Sequence, residues 1–167
     1  MKKTGYILLL FTHFMSCTNS KIEIGETQIT IKEEKEPLRV YITQIDVIDF
    51  PQTNPVGAGW DPLDNSAPDI KVVVSVGGNS VYTSDPVTNA VNTSDYRFIP
   101  EQPIALNPKA NVGILIYDEE FWVEPTFIGG WETGVIWSDF LKGRGYPESV
   151  VVGQGDLQFS VYFSYEL

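Results

Sequence analysis

The chain has 167 residues, 43% of them hydrophobic, and carries 11 basic against 22 acidic side chains, for a net charge of −11. This acidic surplus argues against nucleic acid as a ligand, because that affinity depends on Lys and Arg neutralising phosphates. Cys17 is the sole cysteine and His13 the sole histidine, which excludes an internal disulfide and a zinc site built from several histidines.

The first 17 residues have the pattern of a secretory signal. Lys2 and Lys3 precede an apolar segment, residues 6–14, that is too short to span a bilayer. The segment FMSC, which ends in Cys17, resembles a bacterial lipobox, where the chain is cut before a cysteine that is then lipidated. A lone exposed thiol is unusual in an oxidising compartment, so we expect lipidated Cys17 to anchor an outer-membrane lipoprotein of a bacterial cell envelope, on a face the sequence leaves open. The alternative is an ordinary signal peptide with a free thiol nearby.

Removal of this signal changes the chemistry that the chain can perform. Lys2 and Lys3 are two of the 11 basic residues, so residues 18–167 carry nine basic against 22 acidic side chains, a net charge of −13. They contain no histidine or further cysteine, which excludes Ser-His-Asp and Cys-His catalysis. The charge also argues against simple electrostatic docking on anionic lipid.

Residues 18–36 are polar and charged, and we expect them to form a solvated tether after the anchor. The stretch KIEIGETQITI within them alternates weakly between apolar and polar residues. An edge strand is therefore the alternative for this segment.

From Pro37 onward the pattern is that of short strands separated by Gly, Pro, Asn and Asp. In the first strand the apolar phase shifts between Ile42 and Ile45, which predicts a β-bulge. The segments IKVVVSV, VGILIYD and LQFSVYFSYEL alternate with period two, and WSDFLKG predicts one helical turn. We therefore predict an all-β fold over residues 37–167, an antiparallel β-sandwich of about eight strands.

Several motifs follow one another in a fixed order. A loop that contains aspartates is followed by an aspartate that opens the next strand. An apolar strand then ends in two acids ahead of the triplet FIG, and the alternating strand GDLQFSVYF comes last. This order of motifs resembles that of C2 domains. Thr126 stands where calcium-binding members usually have an aspartate, and Glu120 replaces another. The residues that match the acidic positions are Asp61, Asp64, Asp69, Asp118 and Glu120.

The resemblance implies that these five carboxylates converge from two connections at one end of the sandwich and bind calcium. Calcium takes six to eight oxygen ligands, and a chain without usable thiols or imidazoles supplies such ligands readily. The other reading of these acids is an ordinary solvated surface.

The aromatic and apolar residues beside the acids are candidates for contact with a membrane surface or a protein partner, as apolar groups at an exposed tip often are. The other reading is that Phe121 and Trp122 fold back onto the edge of the sandwich. The candidate contact residues are Trp60, Phe121, Trp122 and Val123.

Three functions fit this sequence. The first is a non-enzymatic, lipid-anchored envelope module whose acidic loops bind calcium and contact a membrane or a protein partner. The second is a structural or assembly component of an envelope complex that needs no metal. The third, an enzyme with paired carboxylates such as a small glycosidase, requires two carboxyl groups about 5–10 Å apart across a cleft. No cleft-forming insertion stands out, so we expect no enzymatic activity.

Overall fold

The structure, a computed structural model, describes residues 22–24, 27–29, 34–61, 66–119 and 124–167. The chain divides into two compact units, residues 1–33 and residues 34–167. In the first unit, strands β1 (Ile22–Ile24) and β2 (Thr27–Ile29) pair antiparallel as a two-stranded sheet of their own. They lie in the segment for which a tether or an edge strand was expected. The signal segment and Cys17 lie outside the described residues.

The second unit contains nine strands among its described residues. They are β3 (Arg39–Asp49), β4 (Ile70–Val76), β5 (Asn79–Thr83), β6 (Tyr96–Phe98), β7 (Ile104–Leu106), β8 (Asn111–Asp118), β9 (Thr126–Val135), β10 (Ser149–Gln154) and β11 (Leu157–Glu166).

These strands form two antiparallel sheets, which confirms the predicted sandwich. In the first sheet, β11 lies between β10 and β3, and β6 and β7 both pair with the other edge of β3. The second sheet has the order β5-β4-β8-β9. The strands adjacent in this order are antiparallel. Sequential strands therefore often pair, as short antiparallel connections allow.

The bulge predicted in the first strand of the sandwich lies at Thr43. Ile42 pairs with Phe163 and Gln44 pairs with Tyr162, so Thr43 is the extra residue. An extra residue shifts the alternation of side chains by one position. Alternate apolar residues before the bulge and alternate apolar residues after it can therefore all face the core. Those side chains are Val40, Ile42, Ile45 and Val47.

The alternating segments supply the rest of the core, and full burial of such a side chain stabilises the fold by about 1.5–3 kcal/mol. The prediction that IKVVVSV and VGILIYD direct alternate residues inward is confirmed. The side chains buried from β4, β8 and β11 include Ile70, Val72, Val74, Val112, Ile114, Ile116, Phe159, Val161 and Phe163.

The predicted helical turn is a π-helical turn, Ile136–Leu141. The Asp139 carboxylate accepts hydrogen bonds from the backbone N–H of Val135, at 2.7 Å, and from the Ser138 hydroxyl, at 2.6 Å. These bonds lower the pKa of Asp139. Within the described ranges, no helix has the length and apolarity needed to cross a bilayer.

Two glycines fix how closely β9 packs. A Cβ atom at Gly130 would lie 2.6 Å from the carbonyl oxygen of Ile114 on β8, and one at Gly129 would lie 2.9 Å from Leu157 Cδ2. A side chain at position 130 would push the strand away from β8, whereas one at position 129 would require the Leu157 side chain to move. The FIGG segment therefore owes its glycines to close packing against β8 and β11.

Candidate functional site

Two acidic connections that are distant in sequence meet at one end of the second sheet. Asp69 immediately precedes β4, and Asp118 is the last residue of β8. The two strands are antiparallel, and Ile70 pairs with Asp118. The start of one strand therefore lies beside the end of the other, as the resemblance implied for these two positions.

Backbone and side-chain hydrogen bonds join the two connections. The backbone N–H of Asp69 donates to Oδ1 of Asp118 at 2.7 Å, and the N–H of Glu119 donates to the Asp69 carbonyl at 2.8 Å. Asp118 is only 2% exposed. A buried carboxylate that accepts a backbone N–H helps to fix the position of a loop, so Asp118 is part of the framework of this end.

A third connection, the segment between β5 and β6, is tied to the same place. Oδ1 of Asp69 accepts the backbone N–H of Asn89 at 2.7 Å. Asn89 has φ of +53°, a conformation that Asn tolerates better than most residues. Val87 also forms an isolated bridge with Ile70. The sequence signal for this contact, one Asn in a polar loop, is too weak to place it.

Part of the negative charge at this end is balanced within the fold. Lys71 forms an ion pair with Glu119. The Lys71 side chain is 14% exposed, so the pair is shielded more than a surface pair would be. The sequence does not reveal this ion pair, because Lys71 lies in a strand that is otherwise recognised by its apolar residues.

Three of the five predicted calcium ligands are described. Asp69 and Asp118 lie together, and Asp61 is half-buried in the loop before β4. Asp64 and Glu120 lie outside the described residues. Among the residues that the structure does describe, no three His, Cys, Asp or Glu side chains form a group able to hold a metal ion. The five-carboxylate calcium site stays a prediction.

Trp60 does not form part of an exposed contact tip. It is 5% exposed, and its indole Nε1–H donates to the Pro51 carbonyl at 2.8 Å. A buried Trp usually finds such an acceptor for its one polar group. The expectation that Trp60 contacts a membrane or partner is therefore wrong. The other candidate contact residues, Phe121, Trp122 and Val123, lie outside the described residues.

Phe127 is an exposed aromatic residue at the same end of the sheet. It is 53% exposed and packs edge-on against Tyr117, with ring centroids 5.6 Å apart. Its strand neighbour Thr126 pairs with Asp118. In the sequence, Phe127 contributed only to the family pattern, since one aromatic residue at a strand start does not reveal its exposure.

An open groove also runs along the edge strand β5. Its volume is about 690 Å³, and it lies between β5 and the connection from β6 to β7. The exposed aliphatic side chains Val81 and Ile99 and the carboxylates Asp85 and Glu101 contribute to its lining. The sequence did not predict this groove, because it depends on how the two sheets approach one another.

Comparison with known proteins gives a likeness of fold. No protein-family model matches the chain, and no curated protein matches it. A solved structure described as a C2 domain is similar at a TM-score of 0.50 and 10% identity, covering 75% of this chain and 94% of that one.

Human GIVD cytosolic phospholipase A2 is similar at a TM-score of 0.50 and 16% identity over 81% of this chain. The similarity spans only 18% of the phospholipase, so its activity does not carry over. Identities this low establish the fold alone. The chain has a C2-like antiparallel β-sandwich fold.

Proposed function

We propose that this chain is a non-enzymatic binding module that contacts a membrane surface or a protein partner through the acidic end of its sandwich. The observation that carries the proposal is the 2.7 Å hydrogen bond from the Asp69 N–H to Asp118, which brings two acidic connections together. Exposed Phe127 lies at the same end. Acidic and aromatic groups at one loop end suit a site for an apolar–polar boundary.

The calcium part of the proposal rests on the chemistry of the donors. Asp69 and Asp118 provide hard carboxylate oxygens side by side, but calcium requires six to eight oxygens. Backbone amides already occupy one oxygen of each carboxylate. A complete site therefore also needs Asp64, Glu120 and Asp61, together with water. A bound cation would offset the repulsion among these acids.

Thermal unfolding during a calcium titration tests this function. A cation that binds only the folded state raises Tm as its concentration rises above Kd. We expect millimolar calcium to raise Tm, and the paired change Asp64→Asn with Glu120→Gln to abolish the increase. Asp156→Asn, in the exposed turn between β10 and β11, is the matched control and should keep it. An unchanged Tm in calcium would refute the metal part.

The anchor is the second part of the proposal. Lipidated Cys17 would hold the module at the outer membrane of a bacterial envelope, because several acyl chains on one cysteine anchor a protein stably. The test is expression in a bacterial host followed by membrane fractionation and mass spectrometry. We expect a membrane-bound chain that begins at modified Cys17, and a soluble chain from Cys17→Ser. An unmodified thiol at Cys17 would contradict the anchor.

A metal-independent structural or assembly component is the second candidate. It is favoured by the Lys71–Glu119 ion pair and by the backbone bonds of Asp69 and Asp118, which hold the acidic strand ends together with groups of the chain itself. For this candidate the melting curves with calcium and with chelator coincide, and partner binding persists in chelator.

A further inference from the structure

The loop that follows the π-helical turn has the geometry of an anion-binding concavity. Gly143, Gly145 and Tyr146 have φ values of +83°, +73° and +53°, whereas Arg144 between them is not in a positive-φ conformation. Changes in the sign of φ within a tight turn can direct several backbone N–H groups toward one point, where they bind an anion. Positive φ is strained for Tyr146, and such strain persists only where the surroundings enforce it.

A carboxylate occupies this concavity. The N–H of Gly143 donates to Oε2 of Glu34, and the N–H of Tyr146 donates to Oε1 of the same side chain at 3.1 Å. The Tyr146 hydroxyl donates to the Lys35 carbonyl. Two oxygens of one anion thus each accept one backbone N–H, an arrangement that a phosphate group reproduces with its own oxygens.

Two cations border the loop in a chain that is otherwise strongly acidic. Lys142 and Arg144 are both exposed. Arg144 Nε donates to the Phe140 carbonyl at 2.7 Å, and its guanidinium lies 5.1 Å from the centre of the Phe140 ring. These contacts fix the guanidinium beside the loop, while its terminal nitrogens still have donors for an oxyanion.

Aromatic rings also pack against the Tyr146 side chain and support the loop. Tyr146 stacks on Trp137 with centroids 5.4 Å apart, and Tyr165 meets the Tyr146 ring edge-on at 5.4 Å. A cradle held by packed aromatic rings loses little conformational freedom when it binds a ligand.

We propose that the loop Lys142–Tyr146 is an oxyanion site whose resident ligand is Glu34, and that a phosphate group competes with Glu34 for it. Phosphate binding releases the Glu34 side chain and thereby loosens residues 34–36, whereas Leu38 stays attached through its N–H bond to the Glu166 carbonyl. The site is separate from the acidic end and does not depend on calcium. Its ligand is defined by chemistry, a phosphate either in solution or on a lipid headgroup.

Amide NMR during titration with inorganic phosphate tests the proposal on the purified protein. Glu34→Ala vacates the concavity, so the Gly143 and Tyr146 amides of this variant should shift and saturate. Saturation should need at least about tenfold less phosphate than in the unchanged protein, where phosphate must displace a tethered carboxylate. Glu36→Ala removes an exposed acid two residues along and should behave like the unchanged protein. Saturation of Glu34→Ala and of the unchanged protein at the same phosphate concentration, or shifts spread over unrelated amides, would mean an adventitious ion only and would overturn the proposal.

A second variant keeps the Glu34 contact in place. Lys142→Ala with Arg144→Ala removes both cations and should raise the phosphate concentration needed for saturation several-fold. An unchanged concentration overturns the role of the cations.

Vesicles of phosphatidylglycerol identify the source of the phosphate group. Shifts at Gly143 and Tyr146 with vesicles but not with inorganic phosphate assign the site to a lipid headgroup, and the reverse assigns it to free phosphate. If neither inorganic phosphate nor vesicles shift these amides in Glu34→Ala, the proposed site is refuted.

Discussion

The backbone N–H of Asp69 donates a 2.7 Å hydrogen bond to Oδ1 of Asp118, 49 residues further along the chain. This bond closes the end of the second sheet where β4 begins and β8 stops. Asp118, which follows a run of apolar residues, therefore has a structural role. Any ligand that uses Asp118 must accept a carboxylate already positioned by the fold.

The first prediction concerns the energy of this bond. Asp118→Ala leaves the Asp69 N–H without its acceptor at a partly buried position, and a donor left unsatisfied costs about 1–3 kcal/mol when it is fully buried. We expect the free energy of unfolding, measured in urea, to fall by an amount toward the lower end of that range. Asp118→Asn retains an oxygen acceptor and should cost less. Asp156→Asn, at an exposed turn, should change stability by less than about 0.5 kcal/mol. Equal losses from Asp118→Ala and Asp156→Asn would contradict the structural role.

The second prediction concerns the packing of β9. A Cβ at position 130 meets the carbonyl oxygen of Ile114 at 2.6 Å, and backbone atoms do not move aside cheaply. Gly130→Ala should therefore lower the free energy of unfolding by about 1–3 kcal/mol.

Gly153→Ala is the matched control for this change. Its new Cβ would have its nearest neighbour at 3.6 Å, an ordinary contact. We expect denaturant midpoints close to that of the unchanged protein. If Gly130→Ala were as harmless as Gly153→Ala, the close approach of β8 and β9 would not be a constraint.

The third prediction concerns pH. Hydrogen bonds from Ser138 and from the Val135 amide lower the pKa of Asp139 in the folded state. A carboxyl group with a lowered folded-state pKa stabilises the fold above its unfolded pKa of about 3.9, and this contribution is lost as pH falls through the folded-state value. Unfolding free energies measured between pH 7 and pH 2 should therefore fall less steeply below about pH 4 in Asp139→Asn. An identical acid slope in both proteins would show that the carboxylate contributes nothing in that range.

The apolar pattern of the sequence predicts the sandwich and even the bulge at Thr43, because burial on one face forces period two and a phase shift requires an extra residue. It does not predict which polar groups meet. The Asp69–Asp118 bond depends on the register of β4 against β8, and the Lys71–Glu119 pair depends on the same register. Neither contact can be read from strands that are separated in the chain.

Trp60 shows a second limit. From the sequence, an aromatic residue in a Gly- and Pro-rich loop can be either exposed at the tip or buried beneath the loop. In the structure the Trp60 side chain is buried and donates to the Pro51 carbonyl, whose position depends on the path of the loop. The Glu34 carboxylate is a similar case. The N–H groups that bind it belong to Gly143 and Tyr146, more than a hundred residues further along the chain. Local pattern predicts elements, whereas sites formed by backbone groups depend on tertiary structure.

The fourth prediction tests the proposed contact surface. Phe127 is 53% exposed beside the acidic connections, and Val151 on β10 of the other sheet is similarly exposed at 58%. If the acidic end contacts a membrane, Phe127→Ser should weaken calcium-dependent sedimentation with lipid vesicles, because burial of the exposed half of this side chain contributes about 0.8–1.5 kcal/mol, half of the value for full burial. That corresponds to a loss of roughly four- to tenfold in affinity.

Val151→Ser removes exposed apolar surface in the other sheet and should sediment like the unchanged protein. Sedimentation lost equally in both variants would indicate general stickiness of apolar surface. Sedimentation retained in Phe127→Ser would remove Phe127 from the contact surface, because the free energy gained by withdrawing an aromatic ring from water would be lost with any lipid that the ring enters.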